Sequence, residues 1–333
     1  MSELNSKMYE VSAKSQDLGR YRDFDVYYKQ GTTFRLYKAN HMDFDESKVK
    51  QGKIPEKLFV SFNDKVSMIR KEQIDLNFRF KESITIDIYK SREILNDLIS
   101  VTLSEPRSEI LVEIKDTIED IVEEFLLDEQ IVSKLTNIAI HDYSTQLHVT
   151  NVMLFSLGYA HYCKFSENDI KMFAMMGLMH DVGKLHVPDY ILSAPRKLTD
   201  EEFELIKKHP ENGLEILVES GFEEKIQLAA LEHHERLDGS GYPFKKKAAD
   251  LSGTSRALGI IDMFEALTSW RPYKNSISPL KALALIKEDV DKGRLDSMIF
   301  KNFAYSIIGI SEKEKEKAPT RRVVHRNESG VIL

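Results

Sequence analysis

The sequence predicts an α+β protein in which a small α/β region comes first and a larger, all-helical region follows. The first observation is a pair of runs rich in aromatic and β-branched residues, 25–29 and 34–38, around a Gly-containing turn, which is typical of a β-hairpin. The second is a series of helix-start signals beyond residue 129, with no alternating strand pattern between them. The helical region has about 180 residues, an ordinary size for one domain.

Composition limits the classes of protein to which this chain can belong. The 333 residues are 42% hydrophobic and carry a net charge of -7; the first value is normal for a chain that buries a core, and the second argues against a nucleic-acid binder with a basic stripe. No apolar run approaches the ~20 residues of a membrane helix. The first 20 residues lack the apolar segment of a secretory signal, and a single cysteine, Cys163, excludes a disulfide framework. We expect a cytoplasmic protein that neither inserts into a membrane nor binds DNA.

Residues 1–83 are interpreted as a small α/β regulatory or sensory domain. Residues 1–20 are polar and are expected to fray. The hairpin follows, and residues 57–62 form a further predicted strand. No catalytic constellation is visible in this region, so sensing or docking is favoured over chemistry.

Residues 84–128 are predicted to be connecting helices. Within them, Ile110, Ile114, Ile118, Ile121 and Phe125 recur at steps of three or four, which gives one apolar stripe on a helix. A helix packed on its own domain explains this stripe. The alternative is a homodimer helix over 107–127 that carries a signal between the two regions, although the stripe is short for a coiled coil.

Residues 129–310 are predicted to form one helical domain, and the charged tail 311–333 is expected to be solvated. Three helix starts are marked by a capping residue followed by an acidic residue or a proline. These starts are Ser166 with Asp169, Thr199 with Glu202, and Ser278 with Pro279. His209 is expected to end the helix that starts at Thr199, because Pro210 follows it.

Seven residues with metal-binding side chains lie on these helices, most of them at a helix end. They are five histidines and two aspartates: His148, His180, Asp181, His209, His233, His234 and Asp262. Ligands at helix ends can converge on one cavity. They are too many for one tetrahedral zinc ion, and no cysteine accompanies them. Two metal ions that share a bridging carboxylate would use the whole set, whereas caps and core residues explain each member singly but not the set.

The types of these side chains indicate which metal and which chemistry. Imidazole nitrogen and carboxylate oxygen suit iron, manganese or zinc. Lys184 follows His180 and Asp181 closely, and an ammonium there could hold a phosphate oxygen. Asp262 lies in the otherwise apolar segment 258–267, where a buried carboxylate needs a metal, a cation or an exposed face.

The ordered motifs of this region resemble those of the HD-GYP family. They are His148, HDVGK at 180–184, HPENG at 209–213, HHERLDGSGYP at 233–243, and Asp262 followed by ALTSWRPYK at 266–274. The resemblance covers roughly residues 140–310. HD-GYP proteins are a bacterial branch of the HD metal-dependent phosphohydrolases. They are all-helical, typically hydrolyse cyclic di-GMP, and often carry a separate N-terminal sensory domain.

The resemblance implies a role for each matching residue. Two divalent ions are implied, iron or manganese first and zinc as the alternative. One ion would be held by His148, His180, Asp181 and Asp262. The other would be held by Asp181, as the bridge, with His209, His233 and His234. Lys184 would hold a phosphate oxygen, and the further substrate contacts would be Tyr242, Arg271 and Lys274. Catalysis would rest on Asp181 and Lys184, with a metal-bridged hydroxide that hydrolyses cyclic di-GMP to linear pGpG.

Three departures from the family pattern qualify these expectations. Position 144 is Ser144 where some members have a glutamate that serves a third metal, so two metals and pGpG are expected rather than three metals and GMP. Segment 244–250 lacks the usual Gly-Leu-x-Gly run; its three lysines are interpreted as a solvated loop, with phosphate or protein contact as the alternative. Segment 193–196 lacks the usual lysine beside its proline.

Two other functions remain open on the sequence. One is a hydrolase of another cyclic dinucleotide or nucleotide, because the same metals and lysine would serve it. The other is a degenerate HD-GYP module that binds a cyclic dinucleotide and signals through partner proteins without turnover.

Overall fold

A computed structural model describes residues 8–84, 86–103, 127–141, 148–192, 194–269 and 276–309. In these ranges a four-stranded antiparallel sheet comes first and helices follow, with no strand after residue 61. The predicted α+β class, with a small sheet ahead of a helical region, is confirmed. The apolar stripe at 110–125, with nearly all of the 107–127 dimer segment, lies outside the described residues, as does the tail from 310 onward.

The sheet has the strand order β1-β4-β2-β3. The strands are β1 Met8–Val11, β2 Val26–Gln30, β3 Thr33–Lys38 and β4 Leu58–Ser61. The predicted hairpin is present as β2 and β3, with Gly31 at a φ of 63° in the turn. The expectation that residues 1–20 fray is wrong for the described part of that range. Strand β1 pairs with β4, and a 3₁₀ helix at Ser15–Tyr21 buries Leu18 and Tyr21.

Three helices follow or interrupt this sheet: α1 Glu46–Lys50, α2 Phe62–Ser83 and α3 Ile88–Thr102. Helix α2 starts where β4 ends, with Ser61 as its N-cap, so helical structure begins earlier than the predicted residue 84. Its buried side chains face the sheet and α3, and α3 also packs against the helical region that follows. Helix α3 therefore lies between the sheet and the rest of the protein.

The remaining helices form the second region. They are α4 Glu129–His141, α5 His148–Tyr162, α6 Glu167–Met179, α7 Asp189–Leu192, α8 Asp200–Ile206, α9 His209–Glu219, α10 Glu224–Glu232, α11 Gly253–Thr268, α12 Pro279–Asp291 and α13 Ser297–Ile308. The predicted starts at Ser166, Thr199 and Ser278 are confirmed. Thr199 and Glu202 form a full capping box, in which each side chain accepts the other's backbone N–H.

The prediction for His209 and Pro210 is wrong. Helix α8 ends at Ile206, and His209 opens the next helix with Pro210 in its first turn. Proline is favoured at that place because the first helical N–H groups have no intrahelical partner to lose. The consequence is that His209 sits at a helix start.

Helices α5, α6 and α11 are buried on nearly all sides and form the centre of the second region. Their apolar side chains belong to one continuous core that extends to the sheet. Among the described residues, no helix combines the length and the apolarity that crossing a membrane requires.

Candidate metal centre

Five helices bring the seven predicted ligands to one place. His148 is the first described residue of α5, and His180 is the C-cap of α6 with Asp181 directly after it. The other four come from three more helices: His209 starts α9, His233 caps the end of α10 and is followed by His234, and Asp262 lies inside α11. Five of them lie at a described helix start or at and just past a helix end, where a side chain can point along the axis into a shared cavity.

Asp181 lies at the centre of this cluster, and its two oxygens face different histidines. Oδ2 is 3.0 Å from Nε2 of His148 and 3.3 Å from Nε2 of His180. Oδ1 is 3.3 Å from Nε2 of His209 and 3.8 Å from Nε2 of His233. The carboxylate therefore joins two groups of ligands on its two sides.

Each group is compact enough to hold one ion. Nitrogen and oxygen atoms lie within 4.8 Å of one another in a group of His148, His180 and Asp262, and in a second group of His209, His233 and His234. His180, Asp181 and His233 form a third such group across the middle. All seven predicted metal ligands therefore lie in one cluster.

The backbone fixes how three of the histidines point. Nδ1 of His180, His209 and His233 lies 2.7–2.8 Å from the carbonyl oxygen three residues earlier in the chain. A ring that donates Nδ1–H to a carbonyl keeps Nε2 as the atom with the free lone pair. In all three rings this Nε2 faces Asp181.

Polar atoms in the centre lack the protein partners that burial normally requires. Nε2 of His180 and Oδ1 of Asp181 are buried with no hydrogen-bond partner, a costly arrangement unless a further group satisfies them. Nε2 of His209 and Nε2 of His233 face each other at 3.2 Å. A mixed set of imidazole and carboxylate donors fits iron, manganese or zinc, so the residues present fit a divalent metal.

Burial sets the charge of the second group. It lowers the pKa of His234 to about 3 and holds the pKa of His233 well below its usual range. Both rings are therefore neutral at pH 7, the form that binds metal. Burial alone would raise the pKa of Asp181, but His180 and Lys184 hold it well below its usual range, so this carboxylate is ionised.

Sequence reasoning missed Glu265. Its side chain is fully buried, and one carboxylate oxygen contacts Nδ1 of His148 while the other accepts a hydrogen bond from Asn151. Glu265 lies three residues after Asp262, hence on the same helix face. A second carboxylate three residues after Asp262, in an otherwise apolar helix, is the sequence feature that could have identified Glu265.

The predicted substrate contacts are only partly within the described residues. The Lys184 ammonium contacts Oδ2 of Asp181 and stays partly exposed. The Tyr242 ring stacks on His234, with centroids 4.6 Å apart and planes at 24°. The ammonium of Lys207 lies over the Tyr242 ring, 5.9 Å from its centroid. Arg271, Lys274 and Ser144 lie outside the described residues, as does Ser193 in the segment 193–196.

Two buried carboxylates hold the loop after Pro243 in place. Glu235 accepts the backbone N–H of Phe244 at 2.7 Å and that of Lys246 at 3.1 Å. The Lys246 ammonium donates to buried Glu232 at 2.6 Å. The interpretation as a solvated loop holds for Lys245 and Lys247, which are exposed, but not for Lys246.

These features define a helical protein with a buried His/Asp centre whose donors fit two metal ions. Residues 138–299 match the HD domain family. A protein of Pseudomonas aeruginosa named as a cyclic di-GMP phosphodiesterase is 31% identical over 193 residues, which are 58% of this chain and 46% of the relative. A protein of Vibrio cholerae named as a 3'3'-cGAMP-specific phosphodiesterase is 40% identical over 130 residues, which are 39% of this chain and 30% of the relative.

Among solved structures, an HDG"Y"P protein from Bdellovibrio bacteriovorus aligns with a TM-score of 0.55 at 16% identity, over 89% of this chain and 98% of that chain. This likeness supports the fold. The chain spans less than half the length of the two curated relatives. Its helical region thus matches the HD domain family over residues 138–299, and the relatives that it resembles include proteins named as cyclic di-GMP phosphodiesterases.

Proposed function

We propose that this chain is a metal-dependent phosphodiesterase that hydrolyses a cyclic dinucleotide, and that cyclic di-GMP is its substrate and linear pGpG its product. The observation that carries this proposal is the position of Asp181. Its two oxygens face two separate groups of nitrogen and oxygen donors. A carboxylate shared between two ligand groups is the arrangement that a two-metal hydrolytic site requires.

His148, His180 and Asp262 would hold one ion on the Oδ2 side of Asp181. His209, His233 and His234 would hold the second on the Oδ1 side. Two bound divalent ions, iron or manganese with zinc as the alternative, would supply Lewis acidity for attack of water on phosphorus and for departure of the 3′ oxygen.

Side chains of this protein would bind and position the substrate. The partly exposed Lys184 ammonium lies beside Asp181 and can donate a charge-assisted hydrogen bond to a phosphate oxygen. The Tyr242 ring covers His234 and offers a flat, partly exposed face against which a base can stack. The Glu235 contacts hold the loop that presents this ring. Arg271 and Lys274 stay proposed contacts on the sequence alone.

The substrate could instead be a different cyclic dinucleotide. Support for this second candidate is the Vibrio cholerae relative named for 3'3'-cGAMP. Both substrates present the same phosphodiester to the centre, so only contacts to the bases separate them. A third candidate is a module that binds a cyclic dinucleotide and signals through partner proteins without turnover.

We also propose that the sheet region is a regulatory or sensory domain, that the chain forms a homodimer through residues 107–127, and that it acts in the cytoplasm. The sheet region supports the first of these proposals, because its described residues carry no His/Asp cluster of the kind found in the helical region.

A substrate panel on the purified protein tests the proposed function. The protein is loaded anaerobically with Mn(II) or Fe(II) and incubated with cyclic di-GMP, 3'3'-cGAMP and cyclic di-AMP. We expect linear pGpG as the main product and no turnover by Asp181→Asn. Glu215→Gln, an exposed carboxylate on α9, is the matched control and should keep full activity.

Faster cleavage of 3'3'-cGAMP would replace cyclic di-GMP by the second candidate. Tight binding of cyclic di-GMP to metal-loaded protein without any product would favour the signalling module instead.

A further inference from the structure

A buried arginine from outside the HD domain reaches toward the metal centre. Arg92 lies on α3, well before the family match at 138–299, and is only 3% exposed. Its Nη2 donates to Oδ1 of Asn151 on α5 at 2.8 Å. An arginine stays charged in proteins, so this buried hydrogen bond from α3 to α5 is charge-assisted.

The contacts continue from Asn151 to the centre. Nδ2 of Asn151 donates to Oε1 of Glu265 at 3.1 Å, and Ser269 donates its hydroxyl to the same oxygen. Oε2 of Glu265 contacts Nδ1 of His148. Nε2 of His148 then lies 3.0 Å from Asp181 and 3.4 Å from Asp262. Four buried or part-buried groups thus connect α3 to one side of the centre.

Chemistry gives this chain of contacts one direction. The guanidinium of Arg92 can only donate, and an ionised carboxylate can only accept. Asn151 must therefore present its oxygen to Arg92 and its NH₂ to Glu265. Glu265 then accepts Nδ1–H from His148, which leaves Nε2 of that ring with the free lone pair. A carboxylate behind a histidine fixes both the tautomer and the orientation of a metal ligand.

His148 differs from the other histidines of the centre in this respect. His180, His209 and His233 are oriented by carbonyl groups of their own helix ends. Nδ1 of His148 instead contacts a side-chain carboxylate, that of Glu265 on α11. The orientation of the His148 ring depends on Glu265. The Glu265 carboxylate is in turn held by hydrogen bonds from Asn151 and Ser269.

We propose that Arg92 is a positioning residue for the metal centre. Through Asn151 and Glu265 it holds His148 in the orientation and tautomer that bind the ion on the Oδ2 side of Asp181, so that α3 sets the affinity of this one site. The inference rests on the proposed metal-binding role of the cluster. Because α3 also packs on α2, it would link the state of the sheet region to the loading of that site.

Metal binding by the full chain tests this proposal. Mn(II) titrations by calorimetry on wild type, Arg92→Met and Glu265→Gln should show two ions bound by wild type. In both variants one ion should bind about 10–100-fold more weakly and the other should be unchanged. In protein saturated with diamagnetic Zn(II), the nitrogen chemical shifts of the His148 ring should report one tautomer in wild type and a mixture in Arg92→Met. The double variant should lose no more than the larger single effect, because both changes interrupt one chain of contacts.

Thr150→Val is the matched control. It removes a different hydrogen bond between α3 and α5, in which Thr150 donates to Oδ1 of Asn96 at 3.0 Å, and it leaves the Arg92 contacts in place. Unchanged affinity in this control excludes a general loosening of the two helices. If wild type binds two ions and both variants bind them equally well with one His148 tautomer, the proposal is wrong. If wild type binds no ion, the proposed function itself fails.

Discussion

At the scale of single residues, Gly183 decides how closely two parts of the metal centre approach. It lies in the 3₁₀ helix Val182–His186, directly after Asp181 and Val182. A Cβ atom at this position would lie 2.0 Å from the His209 carbonyl oxygen and 2.4 Å from the Gly213 nitrogen. Only glycine lets this segment lie against α9, and the contact keeps His209 within 3.3 Å of Asp181.

We predict that Gly183→Ala destabilises the protein and weakens the second metal group. The added methyl has no space, and overpacking of this kind costs about 1–3 kcal/mol of unfolding free energy. The same shift moves His209 away from Asp181, so the ion held by His209, His233 and His234 should bind more weakly. Thermal unfolding and Mn(II) titration measure the two effects.

Gly253→Ala serves as the control, because no atom lies within 4 Å of the Cβ that would be added there. It should leave both stability and metal binding close to wild type. Wild-type stability and metal affinity in Gly183→Ala would show that the contact with α9 is not needed.

At the scale of elements, helix starts were predicted well because their signals are local. Ser166, Thr199 and Ser278 each cap a helix with groups only a few residues away. The seven residues of the His/Asp cluster could be selected for a related reason: their side-chain types are rare in combination, and their motifs are ordered along the chain.

What the sequence did not reveal depends on partners far away in the chain. Strand β1 has only four residues, and it is ordered because β4, some fifty residues later, pairs with it. The role of Glu265 depends on His148, 117 residues away. Pro210 was misread because a proline can end one helix or begin the next, and only the spacing of α8 and α9 distinguishes the two cases.

The loop from Gly241 to Lys246 is an element that two carboxylate oxygens hold in place. Glu235 is 5% exposed and accepts the N–H groups of Phe244 and Lys246, one with each oxygen. A glutamine would replace one acceptor by an NH₂ group, which would face another donor. One backbone N–H would then be left without an acceptor.

We predict that Glu235→Gln opens this loop locally. The expected loss is about 1–3 kcal/mol in the opening free energy at one of the two amides, the usual cost of a buried group that loses its partner. Amide hydrogen exchange at Phe244 and Lys246 measures it. The Ser240 amide, which Asp238 accepts at 2.9 Å, is an internal control and should exchange as in wild type. Equal exchange in both proteins would mean that Glu235 does not hold the loop.

At the scale of the whole molecule, α3 is the structural connection between the sheet region and the metal centre. It packs on α2 on one side and on α4 and α5 on the other. Leu95 and Leu98 of this helix are fully buried, and the core that includes them is continuous from Tyr9 to Ile307. The proposed boundaries at 83 and 128 stay predictions of sequence, since α3 contacts elements on both sides of them.

We predict that Leu98→Ala lowers the unfolding free energy by about 2–5 kcal/mol, because it leaves a cavity in the shared core. Urea unfolding followed by circular dichroism measures this loss. Ile74→Ala, at a side chain that is 69% exposed on α2, should change stability by less than about 0.5 kcal/mol. A similar, small effect of both substitutions would contradict the view that α3 lies in a core common to both regions.

Asp181 is proposed to bridge two metal ions that five histidines and Asp262 hold. A metal count tests this bridge most directly. Protein saturated anaerobically with Mn(II) and freed of excess metal should contain two ions per chain by elemental analysis. Asp181→Asn should contain fewer than two, because the amide replaces one of the two ligand oxygens and removes the negative charge that faces both ligand groups. Two ions retained by Asp181→Asn would contradict the bridge, and no bound metal in wild type would contradict the account of the centre as a whole.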